Sequence, residues 1–206
     1  MGKKIVLDTS VIISACHNFP SLLKEVYKSA KRYGKSLDEE FEIRNISKLL
    51  SNDILYTCGK NGNTCFVTPS VDREIRIEYE PLIRECFIKL RDGVFLDGEI
   101  VKIINIEKPD SKLRERIVYI LEKMGFNMCW KVSKGVKCLS RTDIDLLTLA
   151  KQENAILVTM DSYMASACKV LGIEYIYIPQ HVEKIHEKTR EVLEEFREKL
   201  LQVIKV

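Results

Sequence analysis

Ser140 to Ile178 reads SRTDIDLLTLAKQENAILVTMDSYMASACKVLGIEYIYI, and this stretch decides the fold. Ser140 is a helix cap, and the helix it opens is predicted to run to about Glu153. Ala155 to Val158 is a short apolar strand, Asp161 starts a second helix to about Leu171, and Glu174 to Ile178 is a second strand. Helix and strand alternate. Parallel neighbours need a crossover and a helix is the usual one, so the pattern predicts an α/β fold: a mostly parallel twisted sheet covered on both faces. In such sheets ligand sites form beyond the carboxyl ends of the strands.

The rest of the chain is read outward from there. Ile5 to Leu7 is a strand, and Asp8, Thr9 and Ser10 supply turn and cap chemistry before a second apolar stretch. Ser21 to Arg32 has Leu22, Leu23, Val26 and Tyr27 on one helical face, and Tyr33 to Asp53 is charged and partly helical. Ile54 to Phe66 and Asn127 to Leu139 each hold a Gly- and Lys-containing turn between cysteines, which predicts hairpins or long turns. Between them Pro69 and Ser70 lead into a helical region, Val71 to Asp92, that Pro81 divides. Ile100 to Ile106 is β-like, Ser111 to Met124 helical, and His181 to Val203 a final amphipathic helix. The expected organisation is one domain over residues 1–206, with insertions at 33–66 and 95–138 and the terminal helix at 181–206.

Apolar residues at 46% and charged residues at 31% fit a soluble folded chain and exclude a disordered or fibrous one. No apolar run approaches the roughly 18 residues of a membrane span, so the expectation is a cytoplasmic protein with no membrane partner. A net charge of +3 and a pI near 8.4 permit a nucleic-acid partner without arguing for one. Seven cysteines is an odd number, and with no secretory signal a disulfide framework is not expected; buried thiols are the default. Cys16, Cys86 and Cys168 fall in helical apolar patterns and belong to the core. Cys58 and Cys65, and Cys129 and Cys138, flank the two turns and leave three readings open. They are small apolar residues, a disulfide within each turn, or one zinc site built from both, although their spacing is longer than structural zinc prefers. His17, His181 and His186 show no ligand spacing.

Four acids stand where this architecture brings them together: Asp8 after the first strand, Glu74 in the first turn of the helix after Pro69, Asp143 in the helix capped by Ser140, and Asp161 after Val158-Thr159-Met160. Taken singly, Asp143 and Asp161 read as helix-start residues and Glu74 as part of a solvated face. Taken together, converging carboxylates repel one another, and a hard divalent cation relieves the repulsion. No His or Cys lies beside them, so magnesium or manganese suits the set. Such an ion suits phosphodiester hydrolysis by water, with products carrying a 5′-phosphate and a 3′-hydroxyl.

The chain resembles the PIN-domain nucleases. The resemblance rests on Val6-Leu7-Asp8-Thr9-Ser10, Thr68-Pro69-Ser70-Val71-x-x-Glu74, Leu139-Ser140-x-x-Asp143, and Leu157-Val158-Thr159-x-Asp161, in that order over most of the chain. It implies a three-layer α/β/α fold, endoribonuclease activity, and Asp8, Glu74, Asp143 and Asp161 as the metal-binding acids. Thr9 or Ser10 would support the site by its hydroxyl, Thr159 the strand exit, and Asp145 would approach the metal or point away. The start and the Leu-Ser-x-x-Asp motif are similar to ribosome-assembly members, and Asp143-Ile144-Asp145-Leu146-Leu147 to protein-only tRNA-processing members. RNA is the implied partner. A toxin with an antitoxin partner, and an RNA-binding or assembly module that does not cleave, are the alternatives. Lys134, Lys137 and Arg141, with Lys60 and Lys131, are candidate phosphate contacts, and Trp130 and Tyr56 candidate stacking surfaces. The terminal helix packs on the domain or pairs two copies.

Overall fold

The structure is a computed structural model and describes residues 2–16, 58, 63–96, 99–131 and 135–178. The expected helices at Ser21–Arg32 and His181–Val203, the three histidines, Tyr56, Lys60 and Lys134 lie outside those residues.

Five strands form one all-parallel sheet. In chain order they are β1 (Lys4–Leu7), β2 (Thr64–Val67), β5 (Ile104–Ile106), β6 (Ile156–Thr159) and β7 (Tyr175–Tyr177), and across the sheet they run β5-β2-β1-β6-β7. A separate antiparallel pair, β3 (Val94–Leu96) and β4 (Glu99–Val101), stands apart from it. Six helices accompany the strands among the described residues: α1 (Thr9–Cys16), α2 (Pro69–Glu78), α3 (Pro81–Asp92), α4 (Ser111–Lys123), α5 (Arg141–Glu153) and α6 (Ser162–Leu171).

Local chemistry explains these boundaries. Thr68 caps α2, with Pro69 in its first turn, and Pro81 opens α3 after a break at Tyr79, so the region divides where Pro81 predicted. Asp110 caps α4, Ser140 caps α5 through a reciprocal capping box with Asp143, and Asp161 caps α6. The left-handed residues Asn154 and Gly172 end α5 and α6.

Ile5, Val6 and Leu7 of β1 and all four residues of β6 are buried, as expected of central parallel strands covered on both faces. Helix α1 packs on α3, whereas α4, α5 and α6 pack on one another, and α2 touches α1, α3 and α5. The arrangement is compatible with a three-layer α/β/α fold. Phe87, Ile12, Ile75 and Leu121 are among the fully buried side chains, each stabilising by roughly 1.5–3 kcal/mol.

The expectations for the two cysteine-flanked stretches resolve differently. Thr64–Val67 is not the closing arm of a hairpin but a parallel strand beside β1, with Cys65 and Val67 buried. Its first three residues fall within the expected insertion at 33–66, and β5 and α4 within that at 95–138. Of the two forms expected for Asn127–Leu139, the described residues fit the long turn: its feet meet in a parallel bridge, Met128 with Leu139, beside a short 3-10 turn, Cys129–Lys131.

Six of the seven cysteines are paired, against the expectation of buried thiols. Cys58–Cys65 and Cys129–Cys138 are disulfides within one turn, with Cα atoms 5.5 and 5.0 Å apart, so these four do not form a zinc site. Cys16–Cys86 was hidden from sequence because its members are 70 residues apart; it joins α1 to α3, with a Cα separation of 5.8 Å. Closing so long a loop stabilises by about 4 kcal/mol in the chain-entropy account. Cys168 is the free, buried thiol, and burial followed by the charge of Asp8 pushes its pKa up to about 12. Among the described residues, no helix is long and apolar enough to cross a membrane.

Candidate active site

The chain leaves β1 in two directions, through β2 and β5 on one side and through β6 and β7 on the other. The switch in strand order falls between β1 and β6, and a crevice forms outside the carboxyl ends of strands at such a point. Leu7 pairs with Val158, and the Asp8 N–H donates to the Val158 carbonyl at 3.0 Å, which brings Asp8 level with Thr159.

Asp8 is the organising residue. Its carbonyl accepts the N–H groups of Val11 and Ile12, so it begins α1 while its side chain stays at the rim. The carboxylate is buried, and its Oδ2 accepts hydroxyls from Ser10 and from Thr159, each at 2.7 Å. Thr159 Oγ1 in turn accepts the Asp161 N–H at 3.0 Å, and Ser10 Oγ the Met160 N–H at 3.4 Å. The two hydroxyls therefore lock the ends of β1 and β6 together around one carboxylate oxygen. Burial raises the Asp8 pKa, the two hydroxyls oppose it, and the charge of Asp161 adds to the rise.

Glu74 enters from α2, in its second turn rather than the first, and accepts the Thr9 hydroxyl at 3.1 Å. Burial raises its pKa most; the Thr9 hydroxyl lowers it, while the charges of Glu78 and Asp8 raise it. Asp143 sits in the first turn of α5, where its Oδ2 accepts the Ser140 N–H at 2.7 Å while its own N–H donates to Ser140 Oγ at 3.1 Å. Burial raises the Asp143 pKa from 3.8 to about 6, opposed by the Ser140 bonds and reinforced by the charges of Asp8 and Asp161. Asp161 accepts the Tyr163 N–H at 2.7 Å as the cap of α6.

Asp8 is the common member of the four acids named from sequence: its charge acts on Glu74 and Asp143, and that of Asp161 acts on Asp8 and Asp143. None has a Lys or Arg partner among the described residues. The supporting hydroxyls divide their work: Ser10 and Thr159 hold Asp8, and Thr9 holds Glu74. Asp145 is placed differently. Its Oδ1 accepts Arg114 Nε at 2.6 Å and its Oδ2 accepts the Ser70 hydroxyl at 2.8 Å, so both oxygens already have donors.

Sequence reasoning missed Arg114, which lies 31 residues from Asp145. It also missed Tyr79, whose phenol shares the field of Glu74 and Asp8: burial raises its pKa first, then the charges of Glu74, Glu78 and Asp8. No local pattern marks either one.

The donor set is hard oxygen only, which suits magnesium or manganese and not zinc. Among the described residues, no three of His, Cys, Asp and Glu are gathered closely enough to cage an ion by themselves. Magnesium sites commonly use one or two carboxylates and complete the shell with water. No protein-family model matches the chain, and no curated protein matches it.

Proposed function

We propose that this chain is a metal-dependent endoribonuclease with a PIN-like α/β/α fold, cleaving RNA by water at the carboxylate rim between β1 and β6. One observation carries the reading: at the switch point of a parallel sheet, Glu74, Asp143 and Asp161, from three different elements, each share an electrostatic field with the buried Asp8, and none of the four has a cation partner among the described residues. Helix capping accounts for Asp143 and Asp161 singly but not for the burial of Asp8 among their charges, which costs stability, while the fold places cations on other acids.

When bound at the rim, a magnesium or manganese ion offsets charge on a phosphate and acidifies water. Asp8, held by Ser10 and Thr159, is the fixed acid of the set, with Glu74, Asp143 and Asp161 around it. Asp143, held by Ser140 at the start of α5, would be one of the acids that hold the ion, and its proton, retained to about pH 6 without metal, would leave when the ion binds. Asp145 positions α5 against α4 and α2 through Arg114 and Ser70. The cytoplasm is the proposed compartment, and three disulfides then require a cytosol in which such bonds persist, as in hyperthermophiles.

The test is cleavage of end-labelled RNA with manganese, comparing wild type with Asp8→Asn and Asp143→Asn. The reading expects 5′-phosphate products from wild type and near-complete loss in both variants. Equal cleavage by the variants removes the acids from the chemistry, and binding of RNA without cleavage by wild type favours a binding module.

A further inference from the structure

We propose that the described parts of the disulfide-closed turn, residues 129–131 and 135–141, form a binding platform for single-stranded RNA. Trp130 is its stacking surface, and Lys137 and Arg141 are its phosphate contacts. The proposal rests on the ribonuclease reading of the neighbouring acids and names the form of RNA they act on.

The turn is closed firmly at its feet. Beside the Cys129–Cys138 disulfide, the Cys129 N–H donates to the Leu139 carbonyl at 2.9 Å, and the Leu139 N–H to the Asn127 carbonyl at 2.8 Å. Asn127 Nδ2 donates to the Lys137 carbonyl at 3.3 Å. Each foot then leads to a different acid. Leu139 is buried and precedes Ser140, whose N–H holds Asp143. On the other side, the Asn127 N–H donates to the Tyr163 hydroxyl at 2.8 Å, and the Phe126 and Tyr163 rings lie 5.0 Å apart. The Tyr163 N–H holds Asp161. The platform is therefore braced between two of the four carboxylates.

What it presents is unusual for a braced element. Trp130 is 38% exposed and Val136 46% exposed, although a cross-linked turn beside an apolar core could have buried both. Its cations also divide. Lys131 is paired with Glu122 of α4, whereas Lys137 and Arg141 are exposed and have no carboxylate partner among the described residues. An exposed aromatic ring and two exposed cations without a carboxylate partner among the described residues, carried by one cross-linked turn that leads to Asp143, match a polyanion with accessible bases. Each unstacked base has a π face to offer, while a duplex keeps its bases stacked on one another. Phosphates contact the cations without regard to sequence.

Trp130 is the only tryptophan in the chain, so its emission reports on this turn alone. The full-length protein is titrated in EDTA at low salt with a ten-nucleotide single-stranded RNA and with the blunt duplex of the same sequence. Affinity is followed in parallel by anisotropy of the labelled RNA. Saturable quenching by the single strand is expected, with the duplex bound at least about tenfold more weakly, the scale of one lost base stack. Trp130→Ala is expected to weaken single-strand binding by roughly 5- to 150-fold, and Trp130→Phe to retain most of it. Lys137→Glu with Arg141→Glu is expected to weaken both RNAs and flatten the salt dependence. Binding or cleavage of RNA by wild type with unchanged emission, or equal affinity of Trp130→Ala, overturns the platform and leaves the ribonuclease reading standing. Quenching and binding without cleavage when manganese is added support the platform and remove the nuclease. Absence of binding and cleavage overturns both.

Discussion

Asp143 and Asp145 lie in the first two turns of the same helix, two residues apart, and their surroundings are opposite. Asp145 has Arg114 at 2.6 Å and Ser70 at 2.8 Å. Asp143 accepts a backbone N–H from Ser140, and burial first, then the charges of Asp8 and Asp161, push its pKa to about 6. Adjacent residues on a helix point different ways, so one turn can serve two regions. Cations are not scarce, since Lys4 pairs with Glu153 and Arg91 with Asp72 and Asp92. The difference teaches that one helix start can hold an acid answered by a cation and, two residues away, an acid answered only by backbone and set among other acids.

The comparison breaks most visibly at Asp8. Asp8→Asn keeps acceptor capacity for Ser10 and Thr159 but removes the charge; cleavage is expected to fall by at least about 100-fold, the upper end of what losing an outer partner of a metal ligand costs. The metal-free variant should melt no lower than wild type, because a buried repelled charge is gone. Single-turnover cleavage and thermal melts check both. Thr159→Val leaves the acid and takes away one donor, so manganese affinity should drop by roughly 10- to 100-fold, read by calorimetry.

The contrast also has a pH signature. In the metal-free fold Asp143 is raised from 3.8 to about 6, so between those values the folded state holds a proton that the unfolded state has released. Metal-free stability is therefore greatest toward the unfolded pKa and falls as pH rises through about 6, with the penalty complete above it. Asp8 and Glu74 shift in the same direction. Loading a divalent ion displaces that proton, so the stabilisation from manganese should grow over the same interval. Melts at three pH values, with and without manganese, test this, and Asp143→Asn should flatten both trends. The smallest effect is on the paired side: Asp145→Asn should cost roughly 1–2 kcal/mol of stability for a partly buried charged pair, measured by urea unfolding.

Sequence legibility followed the same division. Asp143 and Asp161 announce themselves because cap chemistry is local: Ser140 lies three residues before one, and the other precedes its helix directly. Asp8 is legible because it ends an apolar strand. The partners that distinguish Asp143 from Asp145 are not local. Arg114 reaches Asp145 from another helix, and Cys16 meets Cys86 across 70 residues, so both depend on packing that no window of sequence contains. Strand β2 was hidden for a related reason, since its alternation of buried and half-buried residues resembles a hairpin arm until β1 and β5 flank it.

The most direct test of the unpaired-acid cluster as a divalent-ion site is calorimetric titration of manganese into wild type, Asp143→Asn and Asp145→Asn at pH 7. The account predicts binding by wild type, a loss of at least about tenfold in Asp143→Asn, and affinity within about threefold of wild type in Asp145→Asn. Retained binding in Asp143→Asn with loss in Asp145→Asn, or no binding by wild type, would contradict it.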